Sequence, residues 1–291
     1  MRSERLDARS ADRAFTAKLS LPPGSGPFAA VVCVHPADDA SRDHYLFRHL
    51  ELVLPPAGIA VARFDRRGDD VPLLDQARDV EAVVETLAAR ADIDRDRIGL
   101  WGFSQGAWVA PLVATRSDRI GFLVLVASTG VSPAAQMRYG TAKQARSFGH
   151  TEAEVQALLA LRSAFEDYAR GRRSRDDVQR LVDAAKGEPW FPRAWVRPDL
   201  PSAPGFWPDM DFEPAPVFGR VQVPVLLFYG EDDEWQPIDA SIAAWAGPGR
   251  TINRLRGTAH APTVRGERDL ASVSPDYTDS LVTWLRKVTA R

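Results

Sequence analysis

The stretch Arg97-Ile98-Gly99-Leu100-Trp101-Gly102-Phe103-Ser104-Gln105-Gly106-Ala107-Trp108-Val109-Ala110-Pro111-Leu112-Val113-Ala114 decides how this 291-residue chain is read. Its first five residues form a mainly apolar run suited to a buried strand, and its last eight have the composition of a buried helix. Between them stands Gly-x-Ser-x-Gly. Strand, Gly-x-Ser-x-Gly turn and helix in that order describe a nucleophile elbow. Such a turn holds its serine in a strained backbone conformation, which requires neighbours without bulky side chains. It also sets the hydroxyl at a helix N-terminus, whose dipole favours developing negative charge.

Outward from this segment the pattern repeats. Ala14 to Leu21 alternates and ends in Pro22-Pro23-Gly24, so it reads as an outer strand and a turn. Phe28 to His35 and Ile59 to Phe64 are continuous apolar runs, as expected of strands buried on both faces. Between them, Tyr45, Leu46, His49, Leu50, Leu52 and Val53 fit a helix stopped by Pro55-Pro56-Ala57-Gly58. Leu73 to Arg90 has helical spacing, and Phe122 to Val126 is a further strand. This alternation predicts an α/β fold with a mostly parallel sheet covered by helices on both faces. It breaks near residue 130. Residues 133 to 187 read as charged helices, with Thr151-Glu152-Ala153-Glu154 suggesting a capping box; 188 to 218 are irregular and rich in proline and aromatics. Strands resume at Val223 to Gly230 and Thr251 to Leu255, and Tyr277 to Val288 reads as a closing helix. The expected organisation is a sheet domain over 1–130 and 219–291 with an inserted helical lid over 131–218.

Bulk properties narrow the function class. A chain that is 45% hydrophobic can bury a large core, and a formal net charge of −2 points neither to nucleic acid nor to an anionic membrane surface. The N-terminal residues mix charges without an apolar signal core, and no apolar run approaches transmembrane length, so a cytoplasmic location is expected. Cys33 is the sole cysteine and lies in an apolar run, where it reads as a small buried hydrophobe. No pair among the five histidines has metal-ligand spacing, so no metal is expected.

Chemistry in open parallel sheets collects beyond the carboxyl ends of the strands. Three such ends carry suggestive residues: Ser104; the acidic loop Gly230-Glu231-Asp232-Asp233-Glu234; and Gly257-Thr258-Ala259-His260-Ala261-Pro262. A serine hydroxyl is a poor nucleophile until a base takes its proton, which an imidazole can accept and return. A carboxylate fixes the imidazole tautomer and stabilises the cation. Of the acids, Asp233 is favoured over Asp232, leaving Glu231 and Glu234 as solvated charges. Of the other histidines, His35 reads as a strand-end residue holding its loop, and His44, His49 and His150 as helix-surface or lid residues.

The elbow, the Gly230 to Asp233 loop and the late His260 together resemble the α/β-hydrolase fold family. His44 to Arg67 and Ile98 to Ser132 look like its prolyl-oligopeptidase-like and dienelactone-hydrolase-like bacterial esterases. The resemblance implies hydrolysis of an ester or related acyl bond of a small molecule, without a cofactor, through Ser104, Asp233 and His260. It also implies an oxyanion hole made by the backbone N–H of Gln105 and one from the loop after His35. That loop departs from the His-Gly of many relatives: Pro36 has no N–H, so Ala37 becomes the second donor. Asp38 and Asp39 follow, as solvated charges or as groups that repel carboxylate-bearing substrates. The loop Arg66-Arg67-Gly68-Asp69-Asp70 looks shorter than in relatives.

Trp190, Trp195, Phe206 and Trp207 in the insertion have two readings, as packing within the lid or as an apolar wall for an acyl group. Fold and triad do not separate an esterase from a thioesterase, amidase, peptidase or acyltransferase. A non-hydrolytic cyclase or lyase and a catalytically silent binding protein are the other classes.

Overall fold

A computed structural model describes residues 2–68 and 71–290. The chain runs β1 (Arg2–Arg9), β2 (Ala14–Leu21), β3 (Phe28–Val34), α1 (Tyr45–Val53), β4 (Ile59–Phe64), α2 (Leu73–Ala88), β5 (Ile93–Phe103), α3 (Gly106–Ala114) and β6 (Ile120–Val126). It continues α4 (Pro133–Ser147), α5 (Glu152–Ala169), α6 (Arg175–Ala185), α7 (Pro214–Phe218), β7 (Val225–Gly230), α8 (Ile238–Ala244), β8 (Arg250–Leu255) and α9 (Pro275–Val288). The strands form one eight-stranded sheet in the order β1-β2-β4-β3-β5-β6-β7-β8. β1, β2 and β4 pair antiparallel, and every later pairing is parallel. This is the mostly parallel α/β sheet that the alternation of strands and helices predicts.

Burial on both faces explains the apolar strands. Val31, Cys33, Trp101, Val124, Val126 and Phe228 share a core with Leu46, Phe47 and Leu50 of α1 and with Tyr277, Leu281 and Leu285 of α9. The alternate strand residues, among them Val32, Val34, Leu100 and Leu125, are equally buried, on the face against which α2 and α3 pack. The free thiol of Cys33 is part of this core, and burial pushes its pKa up.

Two expectations change. The N-terminal segment, read as a mixed-charge stretch, is an edge strand. Only Leu6 and Ala8 are buried in it, so its alternation is masked by arginines and acids on the exposed face. His44 and His49 are not surface residues. His44 caps α1, accepting from the Leu46 amide at 3.3 Å, and His49 meets the Thr278 hydroxyl of α9 at 3.0 Å. Both imidazoles are pushed towards neutrality by burial, His49 to about 4.

The chain divides into two compact units, 1–130 with 214–233 and 238–291, and 131–213 with 234–237. The second unit begins at 131, where the insertion was expected to begin, but ends at 213 rather than 218 and takes in 234–237. α7 belongs to the sheet unit because Phe218 stacks on Trp245 at 4.0 Å. Residues 234–237 belong to the helical unit because Trp235 packs on α4.

The helical unit has its own core, built from Val155, Leu158, Phe165, Val178, Val182 and Trp190. The capping box at Thr151 and Glu154 is formed. Further along α5, Arg162 and Glu166 are buried together, with Arg138 and Arg170 also paired to the same carboxylate. No helix among the described residues is long and apolar enough to cross a membrane.

Candidate active site

Register brings the three sequence-distant segments to one edge of the sheet. Phe103 pairs with Val126, Val126 with Phe228, and Gly230 with Leu255, so β5, β7 and β8 end close together with β6 between the first two. Ser104 leaves β5 with φ 54°, in the left-handed region that ordinary side chains avoid. Its amide donates to the Val126 carbonyl at 3.0 Å. The flanking glycines are required by close approach. A Cβ at 102 would lie 2.3 Å from the Gly106 carbonyl oxygen, and one at 106 would lie 2.3 Å from the Val34 carbonyl oxygen. The elbow is therefore wedged between its own helix and the end of β3.

The acid and histidine loops are laced together by their backbones. The Glu231 amide donates to the Leu255 carbonyl and the Asp232 amide to the Thr258 carbonyl, both at 3.0 Å. The Thr258 hydroxyl returns to Leu255 at 3.1 Å. Within this frame Asp232 points to solvent, whereas Asp233 is fully buried. His260 Nδ1 lies 2.9 Å from Asp233 Oδ2, and His260 Nε2 lies 2.9 Å from Ser104 Oγ. The imidazole bridges hydroxyl and carboxylate, with the Phe103 ring 5.3 Å from its own. Burial pushes the His260 pKa down, but the Asp233 charge and hydrogen bond outweigh it, and the net displacement is upward.

The elbow amide and the loop after β3 lie at the same end. Gln105 is the N-cap of α3, and Ala37 stands three residues beyond β3. Two residues that sequence reasoning passed over bond to these segments. Arg66, almost fully buried, donates to the Ala37 carbonyl at 2.9 Å, and its amide donates to the Ala40 carbonyl at 2.9 Å. Gln76 on α2 donates to the Gln105 side chain at 3.1 Å and to the Val71 carbonyl at 2.8 Å. Arg66 was legible only as part of a charged pair after β4. Asp38 forms an ion pair with Arg268 rather than standing as a free charge, and Asp39 accepts from the Ser41 amide. Asp69 and Asp70 of the short loop lie outside the described residues.

His35 is sealed between Phe47 and Phe64, edge-on to both, and burial depresses its pKa to about 3. It is a packed, neutral group.

Trp190, Trp195, Phe206 and Trp207 are engaged within the helical unit. Trp190 is buried in its core, and Phe206 packs on Phe165 and Tyr168 at 5.3 and 5.7 Å. Trp207 lies over the Arg162 guanidinium at 5.7 Å. Trp195 is half-exposed and donates its indole N–H to Gln144 at 3.2 Å. No cluster of three or more potential metal ligands occurs among the described residues.

Comparison with known proteins bears on this site. The family model described as the alpha/beta hydrolase family matches residues 31–273. Esterase EstD of Thermotoga maritima is 31% identical over 121 residues, 37% of this chain and 29% of its own length. The chain therefore spans under a third of that relative. Among solved structures, Est1E from Butyrivibrio proteoclasticus superposes with a TM-score of 0.62 at 16% identity, covering 99% of both chains. DcsB, solved with its substrate analogue, gives 0.64 at 17% identity over 100% of both. At such identities these two similarities speak for the fold alone.

Proposed function

The chain belongs to the alpha/beta hydrolase family, and from that premise we propose that it hydrolyses a carboxylic ester of a small molecule through an acyl-enzyme on Ser104. The observation that carries the proposal is the pair of 2.9 Å hydrogen bonds linking Ser104, His260 and Asp233. Likeness to an esterase over 121 residues supports an ester over other acyl bonds.

In this reading Ser104 Oγ attacks the acyl carbonyl as its proton passes to His260 Nε2. The buried Asp233 carboxylate holds Nδ1–H and stabilises the imidazolium. The developing oxyanion takes hydrogen bonds from the Gln105 and Ala37 amides, each such donor being worth about 100- to 1,000-fold in rate. Collapse returns the proton from Nε2 to the leaving alkoxide. A water then attacks the acyl-enzyme, giving its proton to the same nitrogen, and Ser104 is released with the carboxylic acid.

A fluorophosphonate probe with p-nitrophenyl esters, thioesters and anilides tests the proposal. Wild type is expected to be labelled, Ser104→Ala not, and short esters to be turned over in preference to anilides. An unlabelled wild type would contradict it, and preference for thioesters or anilides would move the activity to another acyl bond.

A further inference from the structure

Helix α4 has a glycine in its interior, where glycine weakens a helix relative to alanine. Gly140 is buried, and packing accounts for it. A Cβ at this position would lie 2.3 Å from Cε3 and 2.9 Å from Cζ3 of Trp235, so the six-membered ring of that indole occupies the space a side chain would need. Trp195 closes over the same indole edge-on, with ring centroids 5.3 Å apart at 72°. Trp195 is tied in turn to Gln144, one helical turn beyond Gly140, by its indole N–H. It stands at φ 52°, a left-handed conformation that a bulky residue holds only when its surroundings enforce it.

Trp235 lies two residues along the chain from Asp233. The backbone leaves the sheet unit after Asp233, packs into the helical unit over 234–237, and rejoins the sheet unit at Ile238. Within that excursion Gln236 is fully buried. The segment that follows the triad acid thus has an aromatic anchor, a glycine that makes room for it and a second tryptophan that covers it.

We infer that Trp235, seated on Gly140 and covered by Trp195, is a positioning residue that fixes the path of 233–237 and hence the direction in which Asp233 presents its carboxylate to His260. The inference rests on the triad reading. It gives Trp195 a role in holding the segment that follows Asp233.

The test is the pH dependence of p-nitrophenyl ester hydrolysis, with active sites counted by fluorophosphonate titration. Gly140→Ala pushes the indole off its seat and is expected to lower kcat per labelled site by about 10- to 100-fold, the scale of a small misplacement. The acidic limb of kcat/KM should move to lower pH, because His260 loses the Asp233 charge but not its burial. Trp235→Leu removes the ring atoms that a Cβ at 140 would meet, so the double variant should be less impaired than the product of the two singles. Trp195→Ala should shift the limb in the same direction by less. Wild-type kcat and an unmoved limb in Gly140→Ala would overturn the inference, as would a loss accounted for wholly by fewer labelled sites. If Gly140→Ala does not fold, Trp235→Leu alone carries the test, and an unmoved limb there overturns it. A wild type that takes no label sinks the acyl-transfer reading and this inference with it, whereas a labelled wild type with an unaffected Gly140→Ala sinks this inference alone.

Discussion

Two buried acid–base pairs, one in each unit, look alike and differ in what holds them. In the sheet unit, Asp233 faces His260 from a loop pinned by backbone hydrogen bonds to its neighbour, and the histidine has a second nitrogen on a strained serine. In the helical unit, Glu166 faces Arg162 one turn away on the same helix, and Arg138 and Arg170 close over it. Burial pushes Glu166 up and Arg162 down to about 10 against their mutual attraction. The first pair ends at a titratable base and a nucleophile. The second ends in guanidinium groups and backbone carbonyls of residues 194 and 195. Burial and charge alone therefore do not mark a reactive site; what marks it is a strained nucleophile at the far end of the chain of hydrogen bonds.

Substitutions in the two pairs should separate them. Ser104→Ala should cost the most, about 10⁶-fold in kcat where the triad acts as a unit, measured by steady-state ester hydrolysis on protein of unchanged circular dichroism. Asp233→Asn should cost about 10⁴-fold, since it removes the group that sets the imidazole tautomer. Its pH profile carries a sign. His260 must be neutral to accept the serine proton, so with its pKa raised the wild-type acidic limb lies above the ordinary histidine value near 6.5, and activity falls as pH drops through it. Without the Asp233 charge, burial remains and the limb should move down. Asp232→Asn, at an exposed neighbour, should leave rate and limb in place, and an equal effect of the two would undo the assignment of the acid.

Smaller effects test the supports. Arg66→Ala releases the Ala37 carbonyl and should lower kcat by about 100-fold if Ala37 is an oxyanion donor, with KM little changed; an unaltered kcat would remove Ala37 from the hole. Trp207→Ala should raise KM for long-chain esters several-fold over short ones if the insertion supplies an apolar wall, because each buried methylene is worth about 0.8 kcal/mol. The same KM across chain lengths would leave Trp207 as packing over Arg162. Glu166→Gln should have the least effect on turnover, with kcat per labelled site unchanged. It should nevertheless lower unfolding stability by about 3–5 kcal/mol, the usual result of breaking a buried ion pair, as read by denaturant melts.

The convergence of Ser104, Asp233 and His260 was legible because each sits one to five residues beyond a strand, and strands buried on both faces announce themselves as apolar runs. Ser104 carried its glycines with it, and each glycine proves necessary through a backbone contact that sequence order alone could suggest. Choosing Asp233 over Asp232 depended on which side chain the acid loop turns inward, and the structure buries Asp233. β1 was missed because two buried residues in eight leave no readable periodicity. Arg66 and Gln76 were missed because their partners, Ala37 and Gln105, are 29 positions away in each case, and nothing local marks a guanidinium or amide that holds a distant loop. Gly140 was silent for the same reason, since only the folded chain brings this helix interior against Trp235.

Acyl transfer through this site requires that Ser104 become covalently acylated during turnover. Rapid mixing with a p-nitrophenyl ester, followed by quenching and peptide mass analysis, measures this directly. A burst of p-nitrophenol stoichiometric with enzyme, with the acyl mass on the peptide bearing Ser104, is expected. Hydrolysis that persists at the wild-type rate in Ser104→Ala, or an acyl mass found on another residue, would contradict it.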